Sequence, residues 1–258
     1  MRTLVTNDDG VRSVGLHWLA RAARDHGLDP YIAAPSEERS GASASLTGLE
    51  TARGPVAKPY EAASLDGIPA WGVEGAPAFI VRGCANGALC DVPGLVLSGI
   101  NRGPNTGRMI LHSGTVGAAL TAASHRIPAI AFSSSMTDPQ HEETHVAVVS
   151  RVLGWFSERD WPSDAAPVLN VNIPDVPLSE LRGLTRARLA TFGTVEAERG
   201  RVGEGYVSVS IQQVDEGDSE HTDEALLASG WATVTALQAP CESRTPGLRG
   251  LSFRAAAR

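Results

Sequence analysis

The chain has 258 residues, a length that suits one large α/β domain or a domain with an appended arm. Its net charge of −7 argues against a stable nucleic-acid partner, because phosphate backbones are bound by clustered Lys and Arg. No run approaches the ~18 apolar residues of a membrane span, and no signal-peptide pattern is present. We therefore expect a soluble, cytoplasmic protein without a membrane partner.

The chain contains three cysteines, Cys84, Cys90 and Cys241. They are too few for a disulfide framework, and they do not have the spacing of a zinc site. We expect all three to be reduced residues that contribute to packing.

Strand and helix patterns alternate along the first part of the chain, which is typical of a mostly parallel sheet with crossover helices. In chain order, the patterns predict a strand over 3–6, a helix over 14–26, strands over 30–34 and 70–73, a helix over 75–89, a strand over 94–97, a helix over 116–124, a strand over 128–132, a helix over 142–156 and a strand over 168–172. We therefore predict an α/β catalytic core over residues 1–182.

The alternation of strand and helix patterns ends near Gly183. Beyond it, β-rich stretches over 184–189 and 206–214 flank a charged segment over 196–204. Strands outside a main sheet often pair with another subunit, because exposed strand edges seek partners. Residues 183–258 are therefore predicted to form a β-rich C-terminal region with an oligomerisation arm and a terminal helix. The tail after Phe253 is expected to fray.

Two adjacent carboxylates, Asp8 and Asp9, directly follow the first predicted strand. Read alone, Asn7-Asp8-Asp9-Gly10 is also a typical solvated turn. However, the loops at the carboxyl ends of parallel strands converge on one crevice, which would bring the pair close to Ser40 and Asn101. Ser40 alone is typical of a turn or helix cap and Asn101 of a loop, but together the four side chains offer the oxygen ligands that suit Mg²⁺, Mn²⁺ or Ca²⁺.

A second polar motif, Ser113-Gly114-Thr115, lies where a helix is predicted to begin. Free backbone N–H groups and the helix dipole favour an anion at such a position, and Gly114 allows close approach. A plain N-cap serine beside a tightly packed glycine is the alternative.

Five motifs together resemble the survival protein E (SurE) family of metal-dependent 5'/3'-nucleotidases. The matching stretches, in the family's order, are Val5-Thr6-Asn7-Asp8-Asp9-Gly10, Ala34-Pro35 with Ser40-Gly41 and Leu46-Thr47, Ser98-Gly99-Ile100-Asn101-Arg102-Gly103-Pro104-Asn105, Ser113-Gly114-Thr115-Val116-Gly117-Ala118-Ala119, and Asn170-Val171-Asn172-Ile173-Pro174. The resemblance implies a three-layer α/β/α sandwich with a mixed, Rossmann-like sheet. It also implies a homodimer or homotetramer in which the C-terminal β-rich region is exchanged between subunits.

The same resemblance implies hydrolysis of nucleoside 5'- or 3'-monophosphates to nucleoside and phosphate. Each subunit is expected to bind one divalent metal ion, Mg²⁺ or Mn²⁺, with Ca²⁺ as a substitute in a crystal. The implied metal ligands are Asp8, Asp9, Ser40 and Asn101, with Asp8 and Asp9 also catalytic. The implied phosphate- and substrate-binding residues are Asn7, Gly41, Asn101, Ser113, Gly114 and Thr115.

Three positions depart from the family pattern. Phe79 lies in Gly75-Ala76-Pro77-Ala78-Phe79-Ile80, where relatives usually carry Gly-Thr-Pro-Ala-Asp-Cys, and His112 replaces a common tyrosine. Arg108 lies where acidic residues are frequent. We interpret the three as residues of the pocket wall, with a general acid at His112 and a solvated Arg108 as the alternatives, so a phosphatase specialised for a phosphorylated biosynthetic intermediate remains open.

The predicted mechanism is attack on phosphorus by a metal-activated water, with Asp8 or Asp9 accepting the water's proton. An aspartyl-phosphate is an alternative, although metal-bound carboxylates are poor nucleophiles. Rival functions are a non-catalytic nucleotide-binding module and a phosphoacceptor module. The phosphoacceptor requires a late catalytic lysine, yet the only lysine of the chain is Lys58.

Overall fold

Helices alternate with the strands of the main sheet from Arg2 to Ile173 in this computed structural model, except between residues 35 and 70, where three short strands and a 3-10 turn lie. The structure describes residues 1–52, 54–159, 161, 167–191 and 220–239, together with the strand segments 196–197, 201–203, 206–208 and 211–212. The strands are β1 (Arg2–Thr6), β2 (Asp29–Pro35), β3 (Glu50–Thr51), β4 (Gly54–Pro55), β5 (Ala57–Pro59), β6 (Ala70–Val73), β7 (Leu95–Asn101), β8 (Ala129–Ser134), β9 (Val168–Ile173), β10 (Leu184–Arg186), β11 (Glu196–Ala197), β12 (Arg201–Gly203), β13 (Tyr206–Ser208), β14 (Ile211–Gln212) and β15 (Ala232–Leu237). The α-helices are α1 (Val14–Asp25), α2 (Pro77–Ala85), α3 (Gly114–Ser124), α4 (Glu142–Ser157) and α5 (Asp223–Ala228), and 3-10 turns lie at Ala63–Leu65, Gly107–His112 and Leu178–Glu180.

Within the part of the chain that the structure describes, the main sheet has nine strands in the order β10-β15-β9-β8-β7-β1-β2-β6-β5. Its six middle strands, from β9 to β6, pair in parallel, which requires the long crossover connections that the helices provide. At one side of this parallel block, β5 pairs antiparallel with β6. At the other side, β15 pairs antiparallel with β9, and β10 pairs parallel with β15. The predicted α/β class with a mixed, mostly parallel sheet is confirmed.

Helices cover both faces of this sheet. Helices α1 and α4 pack together over one hydrophobic cluster, whereas α2 and α3 pack together over the other. Successive residues of a strand point to opposite faces, so on β7 Leu97 belongs to the first cluster and its neighbour Val96 to the second. The predicted three-layer α/β/α arrangement is therefore confirmed.

The sheet extends beyond the predicted boundary at residue 182, because β10 and β15 join it. The division into a core over 1–182 and a region over 183–258 stays a prediction. The strand predicted over 184–189 is observed only at Leu184–Arg186. The segments 196–204 and 206–214 are described only in part, and Cys241, the predicted terminal helix and the tail after Phe253 lie outside the described residues.

Among the described residues, no helix has the length and apolar character needed to cross a membrane.

Two helices approach their neighbours more closely than a side chain would allow. A Cβ atom at Gly15 of α1 would lie 2.4 Å from the carbonyl oxygen of Ile100, at the end of β7. A Cβ atom at Gly117 of α3 would lie 2.3 Å from the carbonyl oxygen of Ser43. These glycines therefore allow both helices to pack directly on backbone that borders the carboxyl edge of the sheet.

We predict that Gly15→Ala lowers the free energy of unfolding by about 1–3 kcal/mol, because the new methyl group overlaps the Ile100 carbonyl. Urea denaturation followed by circular dichroism measures the change. The matched control is Gly154→Ala in α4, where a Cβ atom would meet its nearest neighbour, His26, at an ordinary 3.7 Å. We expect the control to be neutral or up to about 1 kcal/mol more stable. Equal stabilities of the two variants would contradict the close approach of α1.

Candidate functional site

A tight turn after β1 places Asp8 and Asp9 at the carboxyl edge of the sheet. Asn7 closes this turn, since its Nδ2 donates to the Gly10 carbonyl and its Oδ1 accepts from the Gly10 amide, both at 3.2 Å. Gly10 has a φ of +96°, a conformation that glycine adopts without strain. The buried Asn7 side chain thus hydrogen-bonds to the backbone and fixes the turn that carries the two carboxylates after it.

The first turn of α3 holds the Asp8 carboxylate. The Gly114 amide donates to Asp8 Oδ2 at 3.0 Å, and the Thr115 hydroxyl donates to Asp8 Oδ1 at 2.5 Å. A Cβ atom at residue 114 would lie 2.7 Å from Asp8 Oδ2, so this contact requires glycine. Ser113 caps the helix by accepting from the Val116 amide at 3.1 Å. Two of the donors predicted to bind phosphate therefore point at Asp8 in this structure.

The end of β7 brings Asn101 and Arg102 to the same place. The Arg102 amide donates to Asp9 Oδ2 at 3.0 Å. Asn101 Nδ2 donates to the Gly103 carbonyl at 2.8 Å, and the Thr115 hydroxyl oxygen lies 3.4 Å from Asn101 Oδ1. Thr115 thus contacts both Asp8 and Asn101. The predicted convergence of the loop after β1 and the loop after β7 on one site is observed.

The loop over 36–45 reaches the site through the backbone of Arg39 and the side chain of Ser43. The Arg39 amide donates to the Asp8 carbonyl at 2.6 Å, and Ser43 Oγ donates to the Leu111 carbonyl at 2.7 Å. Ser40 is exposed, and its hydroxyl donates to Glu38 Oε1 at 2.8 Å. The structure therefore places Ser40 beside the residue that contacts Asp8, with its hydroxyl turned towards Glu38.

Glu38 was not singled out from the sequence, although its charge contributes to the raised pKa of Asp9. The available signal was the pair of acidic residues, Glu37 and Glu38, just before Ser40 in a long loop. A run of charge in a loop is ordinarily a solvated surface, so the sequence alone did not distinguish it.

The remaining predicted residues lie around this centre. Gly41 has a φ of +77° with open space where a Cβ atom would be. Arg108 and His112 are exposed on the 3-10 turn at Gly107–His112. Phe79 of α2 is buried, and its ring lies against Gly48 and Gly75, where a Cβ atom would be within 2.5 Å of ring carbons.

The two carboxylates carry a charge that their surroundings do not balance. Burial raises the pKa of Asp8, although the hydrogen bonds from Thr115 and Gly114 oppose the shift. Burial, followed by the charge of Asp8, raises the pKa of Asp9 to about 7, although the amide and the positive charge of Arg102 oppose the shift. Within the described part of the chain, no salt bridge involves either residue. A cation placed between them would stabilise both in their ionised forms.

The donor set fits a small, hard divalent cation. The described residues contain no group of three or more His, Cys, Asp and Glu side chains that could hold a metal ion. Instead, Asp8 and Asp9 supply carboxylate oxygens, and Asn101 adds an amide oxygen near them. Oxygen ligands of this kind, few in number, leave room for water and substrate.

A buried network of asparagine side chains holds the loop after β7 in position. The Asn105 amide donates to Asn172 Oδ1 at 2.8 Å, and Asn105 Nδ2 donates to Ser133 Oγ at 2.8 Å. In return, the Asn105 carbonyl accepts from Nδ2 of Asn170 and of Asn172, at 2.8 and 2.9 Å. These residues tie the loop to β8 and β9. Their motifs were noted in the sequence, but their positioning role was not.

Comparison with known proteins identifies the relatives of this chain. Residues 3–197 match the model of the family described as Survival protein SurE. A 5'-nucleotidase SurE of Pseudomonas aeruginosa is 38% identical over 92% of both chains. A 5'/3'-nucleotidase SurE of Edwardsiella ictaluri is 34% identical over 92% of this chain and 90% of the relative.

The fold points to the same proteins. The crystal structure of a SurE protein from Aquifex aeolicus superposes with a TM-score of 0.77 at 28% sequence identity. The superposition covers 94% of this chain and 95% of the Aquifex chain. With the family match over residues 3–197, these similarities show that the chain belongs to the SurE family.

Proposed function

We propose that this protein is a divalent-metal-dependent nucleotidase that hydrolyses nucleoside 5'- or 3'-monophosphates to nucleoside and phosphate. The observation that carries the proposal is the unbalanced pair Asp8 and Asp9, held at the carboxyl edge of the sheet beside Asn101. The relatives named 5'-nucleotidase and 5'/3'-nucleotidase support the choice of substrate class.

Asp8, Asp9 and Asn101 are the residues that would hold the cation, Mg²⁺ or Mn²⁺, with Ser40 as a fourth ligand. Ser40 reaches this role by rotating its hydroxyl away from Glu38, which the exposed position of the loop permits. When bound, the cation supplies positive charge to phosphate oxygens and makes water a better nucleophile at neutral pH.

The two carboxylates differ in how many of their oxygens accept a hydrogen bond. Both oxygens of Asp8 accept hydrogen bonds from α3, whereas Asp9 accepts the Arg102 amide through Oδ2. Asp8 is therefore assigned the fixed ligand role. Asp9 is assigned the further task of accepting the proton of the attacking water through Oδ1.

The start of α3 is proposed to bind the phosphate group. Ser113 accepts from the Val116 amide, so its hydroxyl keeps a proton that can be donated to a phosphate oxygen. The dipole of this helix favours the added negative charge of the transition state. Asn7 and Gly41 support the pocket through the backbone turns that they form.

A pocket next to this centre is proposed to receive the remainder of the substrate. Its cavity of about 390 Å³ is lined in part by Arg39, Thr47, Gly48 and Gly75. The Phe79 ring packs beneath the two glycines and so supports this wall. Phe79 is apolar where relatives usually carry an acidic residue. This difference favours a specialised phosphomonoester as the second candidate substrate.

We predict that Asp8→Asn lowers phosphate release from the preferred nucleotide by about a thousandfold, because a metal site contributes several kcal/mol of transition-state stabilisation. The assay measures phosphate release from 5'- and 3'-mononucleotides and from sugar phosphates, with Mg²⁺, Mn²⁺ or a chelator. Asp25→Asn, an exposed carboxylate at the far end of α1, is the matched control and should retain full activity. Full activity of a folded Asp8→Asn protein would contradict the proposal, and a preference for sugar phosphates would favour the specialised phosphatase.

We predict that the protein, kept free of metal by a chelator, loses stability as the pH rises from about 4 to about 7. The pKa of Asp9 is about 7 in the folded state against 3.8 for a free aspartate, so the folded state binds more protons in this window. Thermal denaturation across pH should show this loss, and Asp9→Asn should show a smaller one. At pH 8, Mn²⁺ should stabilise the wild-type protein more than the variant. Identical pH profiles for the two proteins would contradict the raised pKa.

We predict a homo-oligomer, formed through the region after residue 183. The strands β11 to β14 pair as two antiparallel ribbons, separate from the nine-stranded sheet, and strands outside a main sheet often pair with another subunit. Light scattering during gel filtration should give a mass of two or four times the 27.0 kDa of one chain. A mass of one chain at all concentrations would contradict this assembly.

A further inference from the structure

Two cysteines lie in contact at the edge of the sheet opposite the carboxylates. Cys84 is fully buried in the last turn of α2, and Cys90 is half-buried in the connection to β7. Their sulfur atoms are 3.2 Å apart. A disulfide joins sulfurs at about 2.05 Å, so a shift of about 1 Å would allow the bond to form.

The connection between the two cysteines folds back on α2. The Gly87 amide donates to the Cys84 carbonyl at 3.0 Å, and the Ala88 amide donates to the Gly83 carbonyl at 2.8 Å. Gly87 has a φ of +69°, which supports this reversal of the chain. The backbone therefore presents Cys90 to Cys84 in the reduced protein.

The surroundings of the pair favour a reactive thiolate on Cys90. The hydrogen bond between the two sulfurs lowers the pKa of Cys90, and the positive charge of Arg2 acts in the same direction, although burial and the charge of Asp91 oppose the shift. The same bond and burial raise the pKa of Cys84. Arg2 is held nearby, with its guanidinium 4.5 Å from the centre of the Tyr31 ring and its Nε 3.4 Å from Asp91. Cys90 is thus the more accessible and more acidic thiol, as expected of an attacking cysteine.

We propose that Cys84 and Cys90 form a redox site, which a peroxide oxidises reversibly to an intramolecular disulfide. The Cys90 thiolate attacks one peroxide oxygen, the O–O bond breaks, and the leaving hydroxide takes up a proton to become water. Cys84 then attacks the sulfur of the Cys90 sulfenic acid. The S–O bond breaks, and the hydroxide leaves as water with the proton of the Cys84 thiol. Two thiols lose two electrons, one peroxide becomes two waters, and a dithiol reverses the reaction.

This site is independent of the proposed nucleotidase activity. Cys90 precedes β7 at its amino end, whereas Asn101 lies at the carboxyl end of the same strand. The test therefore needs no activity assay and stands whatever substrate the protein hydrolyses.

Peptide mapping of the full-length protein tests the proposal. The reduced protein is treated with hydrogen peroxide, alkylated and digested with trypsin, which releases residues 83–102 as one peptide with both cysteines and leaves Cys241 on another. We expect the 83–102 peptide to resist alkylation and to be lighter by two hydrogen atoms, and dithiothreitol to reverse both changes. A fully alkylated 83–102 peptide, at a peroxide dose that oxidises Cys241, would overturn the proposal. So would a disulfide that joins this peptide to Cys241 or to a second chain.

Variants identify the attacking thiol. Cys84→Ser should trap Cys90 as a sulfenic acid that dimedone labels, whereas Cys90→Ser should leave Cys84 unlabelled at the same peroxide dose. Cys241→Ser is the matched control and should form the disulfide as the wild type does. Dimedone labelling of Cys84 in place of Cys90 would overturn the assigned order. If a variant fails to fold, peptide mapping of the wild-type protein still shows whether the disulfide between Cys84 and Cys90 forms.

Discussion

The negative charge of the buried Asp8 and the half-buried Asp9, side by side at the carboxyl edge of the sheet, is the constraint on which the site depends. Buried charges must be paired, hydrogen-bonded or coordinated. Here the first turn of α3 provides part of the compensation, through the Gly114 amide and the Thr115 hydroxyl. That arrangement requires glycine at 114, because any side chain there would meet the Asp8 carboxylate. It also uses the donors of a helix start that would otherwise be free for a ligand.

The scaffold places these charges by backbone contacts more than by side-chain packing. Gly15 allows α1 to approach the Ile100 carbonyl, and Gly117 allows α3 to approach the Ser43 carbonyl. The Asn105 network then fixes the loop that follows β7. Since backbone positions vary less than side-chain rotamers, this construction holds three separate loops around one small centre with little freedom to relax.

Much of this arrangement could be predicted from sequence, because it follows from local patterns and one rule of topology. Alternating strands and helices predicted the sheet, and the convergence of loops at the strand ends predicted that Asp8, Asp9 and Asn101 meet. The short strand β5, at Ala57–Pro59, was missed because three edge residues that include a proline carry little strand signal. The strand β15 was missed as part of the main sheet because its antiparallel pairing with β9 joins segments about sixty residues apart. The partner of a polar side chain was likewise not predictable, as with Ser40 and Glu38, because it depends on rotamers within a folded loop.

The electrostatic cost of holding two carboxylates at this edge of the sheet also gives the site its affinity for a cation. A pKa of about 7 for Asp9, raised first by burial and then by the charge of Asp8, means that ionising this carboxyl costs folding free energy at neutral pH. A cation that binds only the folded state returns that free energy, so part of its binding is paid by relief of repulsion between fixed charges. A site relaxed without metal, with each carboxylate paired to an arginine, would be more stable and would bind a divalent ion poorly. The raised pKa values of Asp8 and Asp9 therefore follow from the proposed chemistry, as in other functional sites that keep unfavourable interactions for the sake of activity.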